Sequence, residues 1–81
     1  MKRMLLDNLD KLHTTKLGEE RIRKNMSLEC DDVIKWCKEI IERRDTRVLK
    51  KGKNLYIYAD ECIITVNASS YTVITVHHQF Y

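Results

Sequence analysis

The chain has no proline and only two glycines, Gly18 and Gly52, in its 81 residues. Without proline there is no polyproline segment and no rigid linker, and neither low complexity nor an internal repeat suggests a second unit. Residues 1–81 therefore read as a single domain. Two isolated glycines cannot build a glycine-rich phosphate loop, and no G-x-S-x-G elbow or H-E-x-x-H helix is present. Any enzyme built on this chain must work without those signatures. Long hydrophobic runs are also missing, and none approaches the length that crosses a bilayer. Met1-Lys2-Arg3 starts like a signal peptide, but Asp7, Asp10 and Lys11 interrupt the apolar stretch at once. No membrane partner is expected, and a cytoplasmic protein is.

Cysteine is scarce and odd in number. Cys30, Cys37 and Cys62 have no C-x-x-C spacing, so free thiols are expected rather than a disulfide frame or a zinc knuckle. A metal set could draw on Cys62, His13, His77 and His78 only through the fold, because no pair among them has ligand spacing. Neither a metal nor a cofactor is expected. The net charge of +3 and pI near 8.8 are mildly basic, which suits a nucleic-acid partner without requiring one.

What is present is a change of period near the middle of the chain. Leu5, Leu9 and Leu12 recur at i, i+4 and i+7 and predict a short amphipathic helix over 4–12, ended by His13-Thr14-Thr15. Gly18 then reads as punctuation before one or two helical turns at 19–24, where acids precede bases as the helix dipole prefers. Val33, Trp36, Cys37, Ile40 and Ile41 form one stripe and predict a long second helix over 28–44. After Asp45 the pattern becomes short β-rich runs, 47–50, 55–58, 62–66 and 71–77, separated by turn residues. Connections that short demand antiparallel neighbours. The expected fold class is α+β: N-terminal helices followed by a four-stranded antiparallel β-meander packed on the long second helix.

Period-two reading divides the last two strands into faces. Cys62, Ile64 and Val66, with Thr72, Ile74 and Val76, suit the side under the helix. Ile63, Thr65 and Asn67, with Tyr71, Val73, Thr75 and His77, form a polar and aromatic opposite side that Tyr56 and Tyr58 can join. Hydroxyls, rings and an imidazole beside Lys50, Lys51 and Lys53 are what an RNA-handling surface uses. Antiparallel sheets also commonly leave one face solvated with no function attached. His13-Thr14-Thr15 at a helix end can cap backbone groups without any chemistry.

Several segments, His13-Thr14-Thr15-Lys16-Leu17-Gly18-Glu19-Glu20-Arg21-Ile22, Trp36-Cys37, Gly52-Lys53-Asn54 and Ile64-Thr65-Val66-Asn67 through Ser70-Tyr71-Thr72-Val73-Ile74-Thr75, resemble a family of small uncharacterised bacterial proteins, a domain of unknown function found in Firmicutes. That resemblance implies no activity. In architecture, helices followed by a four-stranded meander ending in Val73-Ile74-Thr75-Val76-His77 are similar to the barnase, colicin and RelE-like ribonuclease superfold. The likeness implies metal-independent attack of an RNA 2′-hydroxyl on its phosphate. It would make His13 and His77 acid–base candidates, Arg21 and Lys53 phosphate-binding residues, and Thr65, Tyr71 and Thr75 substrate-positioning residues.

The leading expectation is RNA binding with toxin-like ribonuclease activity. The first alternative is a non-enzymatic phage or mobile-element protein that inhibits a host protein by binding it. The second is a small-ligand-binding homo-oligomer. A homodimer is expected in each case, because the first or the fourth strand must form a sheet edge, and the fourth, with Phe80 and Tyr81 after it, carries little charge to deter pairing.

Overall fold

A computed structural model describes residues 2–78 of the chain; Phe80 and Tyr81 lie outside the described residues. The helices are α1 (Lys2–Asp7), α2 (Lys16–Met26) and α3 (Val33–Ile41), with a 3-10 turn over Leu9–Lys11. Four strands follow, β1 (Arg47–Lys51), β2 (Asn54–Tyr58), β3 (Cys62–Asn67) and β4 (Val73–His78), in the spatial order of the chain and antiparallel throughout. The expected α+β meander is thus observed.

The helices differ from expectation in their limits. α2 is the longest, because Gly18 does not interrupt it: the Thr15 side chain caps the helix by accepting from the Gly18 N–H at 3.0 Å. Gly18, Ile22 and Met26 are its buried residues and recur at i, i+4 and i+8 on one face. α3 is shorter than 28–44. The Asp32 carboxylate caps it by accepting from the Lys35 N–H at 3.0 Å, while the Arg23 guanidinium donates to the carbonyls of Cys30 and Asp31 and to Glu19. Those contacts hold the segment before α3 in an irregular path. Val33, Cys37, Ile40 and Ile41 are buried in α3, whereas Trp36 is half-buried at the margin of the core.

All three helices send side chains into one core with a single face of the sheet. Leu5, Leu12, Ile22, Met26, Ile40 and Ile41 meet Leu55, Ile57, Ile64, Val66, Val73 and Val76 there. At ~25 cal/mol per Å² of apolar surface removed from water, this burial is the main favourable term in so small a fold. The β1–β2 hairpin closes through Gly52 and Lys53, since Lys51 already pairs with Asn54. Gly52 has φ +62°, which a glycine adopts without the Cβ clash other residues meet, as the first turn position of a type II′ hairpin requires.

The β3–β4 pairing contains a correction to the expected faces. Thr65 pairs with Thr75 but Val66 pairs with Val73, so Ile74 is an extra residue in a β-bulge. Beyond it the alternation changes phase. Val73 is 1% exposed and sits in the core, and Ile74 is 41% exposed on the surface, the reverse of the uninterrupted period-two assignment.

The outer edge of β4 is occupied. His13 pairs with Thr72 in an isolated parallel bridge, its N–H bonded to the Tyr71 carbonyl and its own carbonyl to the Val73 N–H. The Thr14 hydroxyl donates to the Val73 carbonyl at 2.8 Å, and the Asn25 amide donates to the Val76 carbonyl at 3.1 Å. Part of this strand edge, from Tyr71 to Val73 and at the Val76 carbonyl, is therefore already bonded within the chain.

Gly18 is required for that arrangement, since a Cβ there would stand 2.3 Å from the Thr14 hydroxyl oxygen. Gly18→Ala is expected to destabilise by about 1–3 kcal/mol through overpacking, although alanine at an open helix position would gain about 1 kcal/mol. Denaturant unfolding measures the difference, and a variant as stable as the parent would show that Thr14 can leave its bond to β4 without cost.

Candidate functional site

The face of the sheet opposite the helices is laid out by strand register, because directly paired residues share a face. One row runs Arg47, Tyr58, Ile63 and His77; the next runs Leu49, Tyr56, Thr65 and Thr75; a third runs Lys51, Asn54 and Asn67. Tyr56 and Tyr58 are half-buried, and Arg47, Lys51 and His77 are exposed. Leu49 is 59% exposed although it is a large apolar residue in a strand. Thr65 is 6% exposed, between its neighbours Tyr56 and Thr75 on the two flanking strands. The surface thus has a ridge of two rings, cations along the β1 side, hydroxyls in the middle and an imidazole on β4.

The expected site residues divide between this face and the joint at the start of β4. Thr65, Thr75 and His77 share the open face. Lys53 is exposed in the turn at the end of the Lys51, Asn54 and Asn67 row. Arg21 is exposed on α2 one helical turn before Asn25, and Asn25 reaches Thr75 and Val76. Residues four apart share a helix face, so Arg21 flanks β4. Tyr71 stands at φ +58°, partly buried against the core, with its backbone bonded to Asn67 and to His13.

His13 belongs to the joint. Its Nδ1 lies 2.8 Å from the Lys11 carbonyl, an acceptor only, so Nδ1 carries the proton. Nε2 is then free to accept from the Thr72 hydroxyl at 3.1 Å, and that hydroxyl is 2.7 Å from the Ser70 hydroxyl. His13 is bridged to Thr72 and His77 comes five residues later, a separation of ~16 Å at a strand rise of ~3.3 Å. The two imidazoles do not meet at one scissile bond. The segments around His13 and Ser70, far apart in the chain, instead meet each other.

Arg47 was not singled out in the sequence, Lys51 was named only among the lysines beside the face, and Tyr56 and Tyr58 were only candidates to join it. The signal for all four was the Lys51-Gly52-Lys53-Asn54 turn, because a two-residue loop sets the β1–β2 register and hence which β1 residues stand beside the rings.

Away from this face, a surface cleft of about 290 Å³ is lined by Cys30, Asp31, Asp32, Lys35, Trp36 and Glu39. Among the described residues, no group of three or more His, Cys, Asp or Glu side chains could hold a metal ion. Burial pushes the Cys37 thiol up to about 12 and the Cys62 thiol up to about 11, so both are neutral and unreactive near pH 8. Raised folded-state values stabilise the fold fully below about pH 9, the unperturbed thiol value, and that contribution is lost as the pH rises through 11 to 12. Alkylation at pH 8 followed by mass spectrometry is expected to label half-buried Cys30 first and to reach Cys37 and Cys62 only on unfolding. Equal labelling of all three in the folded protein would contradict that burial.

A family model described as a protein of unknown function (DUF3781) matches residues 6–77. No curated protein and no solved structure matches the chain.

Proposed function

We propose, for a chain that belongs to the DUF3781 family of proteins of unknown function, that it binds single-stranded RNA on its open sheet face. The observation that carries this reading is the pair Tyr56 and Tyr58, on one face of β2 with Arg47 directly opposite Tyr58. Residues two apart on a strand are ~6.6 Å apart, a spacing that lets successive unstacked bases each lie on a ring. Base–aromatic stacking of that kind contributes about 1–3 kcal/mol per base and tolerates any sequence. Arg47, Lys51 and Lys53 line one side of the rings, and Arg21 flanks the other at β4, so phosphates on either side of the strand meet cations. Thr65 and Thr75 supply hydroxyls that can recognise a ribose 2′-hydroxyl.

Cleavage is the finer part of the proposal. His77, exposed at the end of the Tyr58 row, is the imidazole on this face and the candidate to take the proton of a 2′-hydroxyl as its oxygen attacks the adjacent phosphate, forming a 2′,3′-cyclic phosphate while the bond to the 5′-oxygen breaks and the His77 imidazolium or water returns a proton to that leaving oxygen. Arg21 and Lys53 would offset the charge that gathers on the phosphate oxygens, while Tyr71 and His13 support the strand from its start. A second reading, docking of a protein on the same face, is favoured by the exposure of Leu49. It differs in salt dependence, since apolar docking is weakly screened.

Binding of a mixed-sequence single-stranded RNA, measured by fluorescence anisotropy across a salt series, is expected to weaken steeply as salt rises. Arg47→Ala should lower the slope by about 0.7, and Tyr58→Ala should weaken binding by about 1–3 kcal/mol at every salt concentration. His77→Ala should spare affinity and slow cleavage by about 10²–10⁴-fold. No salt-dependent binding at micromolar protein would defeat the RNA reading and leave protein docking as the better one.

A further inference from the structure

We propose that the outer edge of β1 receives an acidic, extended segment of another protein as a fifth strand. The two edges of the sheet are not equivalent. At β4, the Tyr71 and Val73 backbone groups and the Val76 carbonyl are bonded to His13, Thr14 and Asn25. Just before β1, the Lys2 ammonium donates to the Arg43 carbonyl and, at 3.0 Å, to the Thr46 carbonyl, and among the described residues no bond is seen to the outward backbone of the strand itself.

The outward groups of β1 follow from the pairing. The Ala68 N–H bonds to the Lys53 carbonyl and the Ala59 N–H to the Cys62 carbonyl, so the odd-numbered residues of β2 direct their backbone towards β3. Asn54, Tyr56 and Tyr58 are then the ones that bond with β1, through their partners Lys51, Leu49 and Arg47. Val48 and Lys50 are left with their N–H and C=O groups pointing away from the sheet, a pair of donor–acceptor sites spaced for one more strand.

The side chains on this edge select the occupant. Arg47, Lys50 and Lys51 are all exposed. A second copy of the chain is a poor partner: the two-fold register that pairs all five residues is centred on Leu49 and sets Arg47 directly opposite Lys51 at both ends. Like charges in directly opposed positions destabilise a sheet. The same positions favour carboxylates opposite Arg47, Lys50 and Lys51 and apolar side chains opposite Leu49 and Val48. Antiparallel to β1, that complement reads acidic, acidic, apolar, apolar, acidic. Lysines on an edge also deter indiscriminate aggregation, and here they do so while leaving one kind of strand acceptable. The face proposed to bind RNA shares the Arg47 and Lys51 side chains with this edge, but the outward backbone groups of Val48 and Lys50 belong to the edge alone, so a substitution at Lys50 tests the edge separately.

The probe is an end-capped peptide containing Glu-Glu-Leu-Val-Glu, with Lys-Lys-Leu-Val-Lys as its charge-reversed control. The acidic peptide is expected to bind and to slow amide exchange at Val48 and Lys50 specifically, as read by NMR. Lys50→Pro removes an outward N–H that no strand of the chain uses, whereas Lys50→Ala removes only the charge. Proline is therefore expected to weaken peptide binding by about five- to tenfold beyond alanine, with an unchanged circular dichroism spectrum as the control for folding. Equal affinity of the proline and alanine variants, equal binding of the basic peptide, or binding without protection at Val48 and Lys50 would each overturn the proposal.

Discussion

The seam between the segment before α2 and the start of β4 is the contact on which the rest of the arrangement depends. His13 enters the sheet through its own backbone, Thr14 donates to Val73, Thr15 caps α2, and Gly18 leaves the space in which the Thr14 hydroxyl sits. Each of these satisfies a polar group that would otherwise be costly to leave unpaired near the core. Together they tie α2 alongside β4, so that Ile22 and Met26 enter the core from the side of the last strand. The same seam occupies the start of one edge of the sheet. A chain of this size has little apolar surface to spare, and a helix held by backbone pairing needs less of it to stay in place.

With every helix committed to one face, the composition of the other face is set by two small irregularities. The hairpin turn at Gly52 puts Arg47, Leu49 and Lys51 beside the tyrosines of β2. The bulge at Ile74 exchanges the environments of Val73 and Ile74 while leaving Thr75 opposite Thr65 and His77 opposite Ile63. Without the bulge, a strand that begins with Val73 in the core would turn Thr75 inward as well, and the hydroxyl and imidazole would leave the face that carries the rings.

The joint and the face therefore divide the polar residues into two kinds. Those near His13 are engaged: the imidazole, the hydroxyls of Ser70, Thr72 and Thr14, and the Asn67 side-chain oxygen all bond within the molecule. Such groups orient backbone. Tyr56, Tyr58, Arg47, Lys51 and His77 instead surround an uncovered surface whose pattern of rings and cations is the kind that single-stranded nucleic acid meets. The proposed function follows that division, and so does the edge proposal, since β1 is the strand whose outer backbone is left open.

The sequence by itself determined the class of elements and their order. Period-two alternation flanked by turn residues marked all four strands to within about two residues, and the stripe of Val33, Cys37, Ile40 and Ile41 marked α3, because hydrophobic periodicity is a local property of the chain. It also placed Thr65, Thr75 and His77 on a common face. Tertiary structure decided what local pattern does not encode. Gly18 reads as a breaker in isolation and becomes a helical residue once Thr14 must pass close to it. Arg23 shortens α3 by binding carbonyls that a longer helix would have used. The bulge at Ile74 arises from the pairing of two strands and inverts an assignment made from one. His13 and His77 are both histidines near strand or helix ends in the sequence, and only the bridge of His13 to Thr72 sets them at opposite ends of β4, one joining the chain together and the other facing outward.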